Sequence, residues 1–101
     1  MKVLVVGSHG FLGKHVKTIL DKENKYNVLE ITGKDHVDIT QQVALDSYMS
    51  EFKPKIIINC AAFVGGISYG YKYPAKMLSE NSSMAINLYN LSLEHNVEKL
   101  I

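Results

Sequence analysis

Three glycines at every third position, Gly7, Gly10 and Gly13, follow a short apolar run and indicate a site for a diphosphate group. The run Val3-Leu4-Val5-Val6 is rich in β-branched residues, which is typical of a strand buried on both faces of a parallel sheet. Gly7 permits a sharp turn, Gly10 lets a diphosphate approach the backbone, and Gly13 allows the next helix to pack against the strand. Unpaired N–H groups at the start of that helix would then face the anion.

The whole glycine run is therefore predicted to bind a dinucleotide. The candidate residues are Gly7, Ser8, His9, Gly10, Phe11, Leu12 and Gly13. The alternative is a glycine turn between a strand and a helix that meets no ligand. Three glycines in this context destabilise the folded chain unless something approaches them, so we favour the binding site.

The first half of the chain predicts the elements that position this run. Leu12, Val16, Ile19 and Leu20 recur at helical spacing, which predicts a first helix with Lys14, Lys17 and Asp21 facing water. The segment 28–32 reads as a second strand, which completes a β-α-β unit. Residues 36–39 predict a short third strand, and Thr40 is the expected N-cap of a helix that runs through Phe52 and ends before Pro54. The apolar positions of this helix are expected to share one face, and they are Leu45, Tyr48, Met49 and Phe52.

The second half predicts a central strand, a loop and a long helix. Residues 56–58 are uniformly apolar and begin a fourth strand, whose carboxyl end is 59–62. Residues 63–73 are expected to form a loop at the carboxyl edge of the sheet, where ligands bind in such folds. Pro74 can occupy the first turn of a helix that runs to about His95. Residues 97–101 read as the beginning of a fifth strand, so we expect the chain to be the N-terminal portion of a doubly wound α/β domain.

Composition excludes several classes of protein. The chain has 101 residues, of which 47% are apolar, which suits one compact domain, and its net charge of +1 provides no electrostatic footprint for nucleic acid. One cysteine excludes an internal disulfide and cannot make a zinc cluster by itself. The apolar run after Met1 is too short for a signal peptide or a membrane span, so we expect a cytoplasmic protein with no membrane partner.

A narrower signature follows the fourth strand. The segment Asn59-Cys60-Ala61-Ala62-Phe63-Val64-Gly65-Gly66-Ile67 is followed by Tyr73-Pro74-Ala75 and Asn81. This signature and the glycine spacing resemble the extended short-chain dehydrogenases, the NAD-dependent epimerase/dehydratase family. The resemblance is strongest to the N-terminal part of the GDP-L-fucose synthases and spans essentially the whole chain. It implies a Rossmann-like, NADP-binding domain over residues 1–101, which would be incomplete here.

The resemblance also implies roles for residues outside the glycine run. Asp38 and Ile39 match a pair that binds the adenine amino group and covers its ring. The alternative is that Asp38 starts the helix near Thr40, and both roles could hold. Ala61 and Ala62 match the small pair beside the cofactor. Asn81 matches an asparagine that braces the central strands near the nicotinamide; it could instead reach the surface. A buried amide needs a partner, which favours the bracing role.

Cofactor choice depends on what meets the adenosine ribose. A carboxylate at the end of the second strand would bind the 2′-hydroxyl of NAD, but Thr32 takes that position and Glu30 lies two residues earlier. Lys34 matches the basic residue that meets the 2′-phosphate of NADP in the fucose synthases; the alternative is a solvated loop lysine. The family commonly has arginine at the position of His9. Because histidine is neutral or only partly charged near pH 7, this difference would weaken the selectivity for the 2′-phosphate.

The resemblance implies an enzyme whose catalytic residues fall after Ile101. In the family, a Ser or Thr, a Tyr and a Lys four residues later pass a proton while hydride moves from NADPH to a 4-keto sugar nucleotide, and the full-length enzyme is expected to be a homodimer. No Tyr-x-x-x-Lys is suitably placed here, so we name no catalytic residue and expect binding without turnover. The alternatives are an enzyme like dTDP-4-dehydrorhamnose reductase and a non-catalytic NADP-sensing module.

The remaining reactive side chains predict no further site. Cys60 ends an apolar strand and is expected to be a buried thiol with little thiolate character. His15 and His95 lie on helices without a companion at ligand spacing, so we predict no metal site. No residue near His36 in the sequence indicates a functional role for it. Alternating tyrosines in the loop, namely Tyr69, Tyr71 and Tyr73, either line a pocket or cover the base of the loop.

Overall fold

Four parallel strands form one sheet in the order β2-β1-β3-β4 within the described part of the chain. A computed structural model describes residues 1–61 and 73–101. The strands are β1 (Lys2–Val6), β2 (Asn27–Ile31), β3 (Ile56–Asn59) and β4 (Lys99–Leu100). Val6 at the end of β1 lies opposite Ile31 of β2 and Asn59 of β3, so three carboxyl ends meet at one edge of the sheet.

In the described part of the chain, three helices cover the two faces of this sheet. They are α1 (Phe11–Glu23), α2 (Gln42–Phe52) and α3 (Pro74–Glu94). Because side chains alternate along a strand, Leu4 and Val6 point to the same face, and there they join the core formed with α2 and α3. Lys17 Nζ of the helix α1 lies 4.0 Å from Glu30 Oε2, and Glu30 is paired with Val5, so α1 lies on the opposite face, which Val3 and Val5 share. The strand β1 is therefore buried on both sides from Val3 to Val6, as this apolar run predicts.

The hydrophobic core lies mainly between the sheet and the pair α2 and α3. The buried members of this core are Leu4, Val6, Ile31, Ile39, Leu45, Tyr48, Met49, Ile57, Leu88 and Leu91. The predicted inner face of α2 is confirmed, since Leu45, Tyr48 and Met49 are its buried residues. The predicted start of α3 is also confirmed, because Pro74 occupies its first turn.

The predicted third strand at 36–39 is wrong. The N–H groups of His36 and Val37 both donate to the carbonyl oxygen of Gly33, at 3.0 and 3.1 Å, and the segment forms turns. A strand requires a neighbouring strand for its backbone groups, whereas these groups are satisfied locally. The strand at 99–100 is consequently the fourth of the described residues rather than the fifth.

Two further predictions about the helices are corrected. The N-cap of α2 is Gln41, and the Thr40 hydroxyl instead donates to Asp38 Oδ1 at 2.6 Å. The predicted apolar face of α1 is largely open, since Leu12 and Ile19 are each 60% exposed. The buried residue of α1 is Gly13, because this helix approaches the sheet through a position without a side chain.

None of the three helices within residues 1–61 and 73–101 combines the length and the apolarity that a bilayer span requires.

Candidate functional site

A cleft of about 250 Å³ lies at the carboxyl ends of β1, β2 and β3. Its walls are the strand ends, the turn that follows β2, and one face of α3. The lining consists of Val6, Gly7, Gly10, Ile31, Thr32, Gly33, Lys34, Val37, Asp38, Ile39, Thr40, Cys60, Ala61, Glu80 and Met84. The structure therefore brings six residues of the sequence-based prediction together in one place: Gly7, Gly10, Lys34, Asp38, Ile39 and Ala61.

Gly7 and Gly13 are glycines for packing reasons that the structure makes explicit. Gly7 has a φ of 79°, and a Cβ built there would lie 2.9 Å from both the Cα and the N of Ala61. A Cβ on Gly13 would lie 2.0 Å from the carbonyl oxygen of Gly7. The turn after β1 is thus pressed between β3 and α1, where a side chain would force the backbone apart.

Gly10 differs from these two positions because it faces open space. Among the described residues, a Cβ on Gly10 would meet only the carbonyl oxygen of Gly7, at 3.3 Å, and Gly10 is exposed at the N-cap of α1. The backbone is therefore bare on the side that faces the cleft. This is the geometry that a phosphate group needs to approach main-chain N–H groups.

Some backbone N–H groups of the glycine run are already bonded within the protein. Gly7 and Ser8 both donate to the carbonyl oxygen of Ile31, at 2.7 and 3.2 Å, and Gly10 donates to that of Gly7 at 3.1 Å. These three residues shape the loop and offer no free backbone donor. Their N–H groups are therefore not among the unpaired donors predicted at the start of the helix.

The open donors belong to the first turn of α1. Within the described residues, no acceptor is recorded for the N–H groups of Phe11, Leu12 and Gly13, as expected for the first three residues of a helix. The side chains of Phe11 and Leu12 are 85% and 60% exposed. Their predicted contribution to binding can therefore come from the backbone, whose dipole also favours an anion there.

Ser8 holds a carboxylate away from the cleft. The Ser8 hydroxyl is buried and donates to Glu30 Oε1 at 2.8 Å, and Lys17 Nζ lies 4.0 Å from Glu30 Oε2. Glu30 sits opposite Val5 in the register, on the side of the sheet that α1 covers. Lys17, predicted to face water, is consequently half-buried. Thr32 lines the cleft where β2 ends, as the sequence predicts.

The two carboxylate oxygens of Asp38 have different partners. Oδ1 accepts hydrogen bonds from the Thr40 hydroxyl at 2.6 Å and the Thr40 N–H at 3.0 Å, whereas Oδ2 lies 4.0 Å from Lys34 Nζ. The hydrogen bond from the Thr40 side chain, with smaller contributions from the Thr40 N–H and Lys34, holds the pKa of the Asp38 carboxyl below its ordinary value. Asp38 therefore stabilises the turn before α2 and still presents one oxygen to the cleft, so both alternatives weighed for it can hold.

The turn that carries Ile39 is anchored to α3 by a residue that the sequence did not single out. Asn87 Nδ2 donates to the carbonyl oxygen of Ile39 at 2.9 Å, and the Ile39 side chain is 4% exposed. At the end of β3, the Ala61 N–H donates to Asn59 Oδ1 at 3.0 Å. These bonds hold two walls of the cleft in place.

The other predicted residues lie elsewhere or outside the described part. His9 is exposed at the tip of the glycine loop, and Asn81 is partly buried on α3, next to the cleft-lining Glu80. Asn81 does not itself contribute to the described lining, although it is not without a partner. Ala62, the Val64–Ile67 segment and the loop tyrosines 69 and 71 fall in 62–72, outside the described residues.

Sequence reasoning missed Glu80 and Met84, which line the cleft from α3. The signal that could have found Glu80 is its position four residues before Met84, since residues four apart share one face of a helix. Glu80 Oε2 lies 4.0 Å from Lys34 Nζ, so it reaches across the cleft to the turn after β2. The site thus contains a second carboxylate beside the predicted lysine.

Cys60 lines the cleft and is partly buried. Burial raises the pKa of its thiol, which keeps it protonated near neutral pH. The interpretation of Cys60 as a packing residue without thiolate character is consistent with this shift.

His95 has a companion that the sequence prediction missed. Its Nε2 lies 2.6 Å from Asp46 Oδ1 on α2, 49 positions away in the chain. Glu94 completes a group whose ligand atoms all lie within 4.8 Å of one another. The close pair joins α2 to α3, which is a structural role away from the cleft.

Comparison with known proteins matches nearly the whole chain to one protein family. The family model described as "NAD dependent epimerase/dehydratase family" matches residues 3–101. GDP-L-colitose synthase of Yersinia pseudotuberculosis is 33% identical over 101 residues, which is 100% of this chain and 32% of that protein. The chain spans about a third of the length of the curated relatives that it matches along its whole length.

Solved structures share the fold over nearly the whole chain. A GDP-L-fucose synthetase from Naegleria fowleri bound to NADP superposes with a TM-score of 0.82 at 27% identity, over 99% of this chain and 29% of the other. A dTDP-4-dehydrorhamnose reductase from Bacillus anthracis in complex with NADP gives 0.85 at 26% identity, over 97% of this chain and 34% of the other. The four-stranded parallel sheet and its helices thus have the same fold as the matching parts of two solved structures that contain NADP.

Proposed function

The chain belongs to the NAD dependent epimerase/dehydratase family, and from that premise we propose that it is the NADP-binding part of an NADPH-dependent epimerase-reductase. The substrate class that we propose is a 4-keto-6-deoxy sugar nucleotide, as for a GDP-L-fucose synthase. The observation that carries the proposal is the cleft where β1, β2 and β3 end, bordered by Gly10 and by the open amides that follow it.

The residues of the cleft fit a dinucleotide. A Cβ would take up the space in front of Gly10, and the first turn of α1 offers N–H groups without internal acceptors, so a diphosphate has both room and donors. Asp38 Oδ2 and the Ile39 side chain would meet the adenine, and Ala61 would lie beside the nicotinamide half. NADPH supplies a hydride for the reduction of a carbonyl group when it is bound.

The charges in the cleft favour NADP over NAD. Glu30, the carboxylate of β2, is bonded to Ser8 and Lys17 and does not line the cleft, so it is not available to the ribose 2′-hydroxyl. Lys34 does line the cleft and carries the positive charge that a 2′-phosphate requires. We therefore assign Lys34 to that phosphate.

A dTDP-4-dehydrorhamnose reductase-like enzyme is the second candidate. The observation in its favour is the high structural similarity to the reductase from Bacillus anthracis. Both candidates place NADP in the same cleft and differ in the sugar nucleotide, so the cofactor test applies to both. Turnover of GDP-linked against dTDP-linked 4-keto sugars by the full-length protein separates them.

The cofactor proposal is tested by ligand-induced stabilisation with NADP and NAD. At a free concentration of 100 times its dissociation constant, a ligand stabilises the folded state by about 2.7 kcal/mol, which raises the unfolding temperature of a domain of this size by about 10 °C or more. We expect NADP to produce this shift at a lower concentration than NAD. Equal shifts would refute the assignment of Lys34, and no shift with either would refute cofactor binding.

A further inference from the structure

We propose that Glu80 limits the preference of this cleft for a phosphate-bearing dinucleotide, because it shares the one ammonium group that would receive the 2′-phosphate. This inference rests on the proposed function and adds a specificity-determining residue to it. It predicts that removal of the Glu80 charge strengthens binding of NADP and leaves binding of NAD unchanged.

The geometry places one lysine between two carboxylates. Lys34 Nζ lies 4.0 Å from Asp38 Oδ2 and 4.0 Å from Glu80 Oε2. The Lys34 side chain is 65% exposed, whereas those of Asp38 and Glu80 are only 27% and 23% exposed. Among the described residues that line the cleft, Lys34 is the only lysine, so this end of the cleft has a formal charge of −1.

A 2′-phosphate carries a charge of about −1.5 to −2 near neutral pH. Such a group can approach Lys34 only against the repulsion of the two carboxylates, whereas the hydroxyl of NAD has no charge at that position. The repulsion therefore weakens the binding of NADP and not that of NAD. The loss of affinity is limited because the charges are partly exposed, so they interact weakly and are screened by salt.

The two carboxylates differ in how firmly they are held. Asp38 is fixed through Oδ1 by both the hydroxyl and the N–H of Thr40. Glu80 projects from α3, a different element, and its recorded ion pair in the described chain is the one with Lys34. Asp38 is consequently a permanent part of the turn, and Glu80 is the charge whose removal leaves the turn intact.

The test compares binding of NADPH and NADH to the wild-type chain and three variants by isothermal titration calorimetry in about 0.1 M salt, where charges more than about 10 Å apart are largely screened. In Glu80→Gln we expect the dissociation constant of NADPH to fall about threefold to tenfold and that of NADH to stay within about twofold. The gain should shrink as the NaCl concentration is raised.

Glu94→Gln is the matched control because it makes the same charge change on the same helix. Glu94 lies 14 residues along α3, which is roughly 21 Å away, so neither affinity should change. Lys34→Gln should weaken NADPH alone. Urea unfolding of each variant reports any effect of the Lys34–Glu80 pair on stability.

The outcomes separate the two proposals. If Glu80→Gln leaves the ratio of the two affinities unchanged, or changes only the stability, the inference about Glu80 is wrong while the cofactor site stands. If the wild-type chain binds neither nucleotide, the proposed function is wrong and the inference falls with it. If Glu94→Gln raises the affinity for NADPH as much as Glu80→Gln does, the effect comes from the net charge of the chain, and the proposed role of Glu80 is wrong.

Discussion

Gly10→Ala is expected to weaken dinucleotide binding at least about tenfold while the fold survives. The new methyl carbon would lie 3.3 Å from the carbonyl oxygen of Gly7 and would meet no other atom of residues 1–61 and 73–101 within 4 Å, so a shift of a few tenths of an ångström accommodates it. Gly10 is also the N-cap of α1, with φ −74° and ψ 171°, a conformation that alanine adopts readily. Alanine is a poorer N-cap than glycine, and we expect a loss of about 1 kcal/mol in the free energy of unfolding.

The matched variant is Gly13→Ala, which adds the same methyl group three residues later. That carbon would lie 2.0 Å from the carbonyl oxygen of Gly7, 2.8 Å from its carbonyl carbon and 2.8 Å from the Cα of Ser8. All three are backbone atoms, so no rotamer change relieves the overlap, and the expected loss is at least about 3 kcal/mol. Gly33→Ala controls for the loss of glycine itself, because a Cβ there meets no atom of the described residues within 4 Å.

Two measurements decide between these expectations. Urea unfolding should rank the losses of stability as Gly13→Ala far above Gly10→Ala, with Gly33→Ala within about 0.5 kcal/mol of the wild type. Calorimetric titration with NADPH should show a dissociation constant at least about tenfold higher in Gly10→Ala, which corresponds to 1.4 kcal/mol. The reasoning is refuted if Gly10→Ala binds NADPH as the wild type does, or if it loses as much stability as Gly13→Ala.

Two pH dependences of stability follow from the titrating groups. Because the pKa of Asp38 is lowered in the folded state, its contribution is fully present above the ordinary value of 3.8 and is lost as the pH falls below it; Asp38→Asn should flatten the acid limb of the stability curve. Burial raises the pKa of Tyr48 to about 12, so stability should fall as the pH rises from about 10 to about 12, and Tyr48→Phe should remove that fall. Tyr48→Phe also deletes the hydrogen bond to the Glu30 carbonyl oxygen, which costs about 1 kcal/mol at neutral pH. Urea unfolding at a series of acid and alkaline pH values measures both pH dependences. If the stability of the variants changes with pH as that of the wild type does, these assignments are wrong.

Much of the cleft could be predicted because its parts are consecutive in the chain. The strand β1, the glycine turn and α1 follow one another directly, and the roles expected for Gly7 and Gly13 depend on local packing that the structure shows. The prediction for Gly10 is consistent with its open surroundings. Local sequence was less informative at 36–39, where a strand was predicted although hydrogen bonds to the Gly33 carbonyl oxygen form turns.

The sequence by itself determined the β-α-β unit at the start of the chain, the inner face of α2 and the start of α3, because hydrophobic periodicity, glycine and proline act over a few residues. Only the tertiary structure decided which distant charges meet. It holds Glu30 against Ser8, pairs Asp46 with His95, and places Glu80 beside Lys34, 46 positions earlier. These contacts depend on how strands and helices pack across the sheet, and no spacing in the chain encodes that arrangement directly.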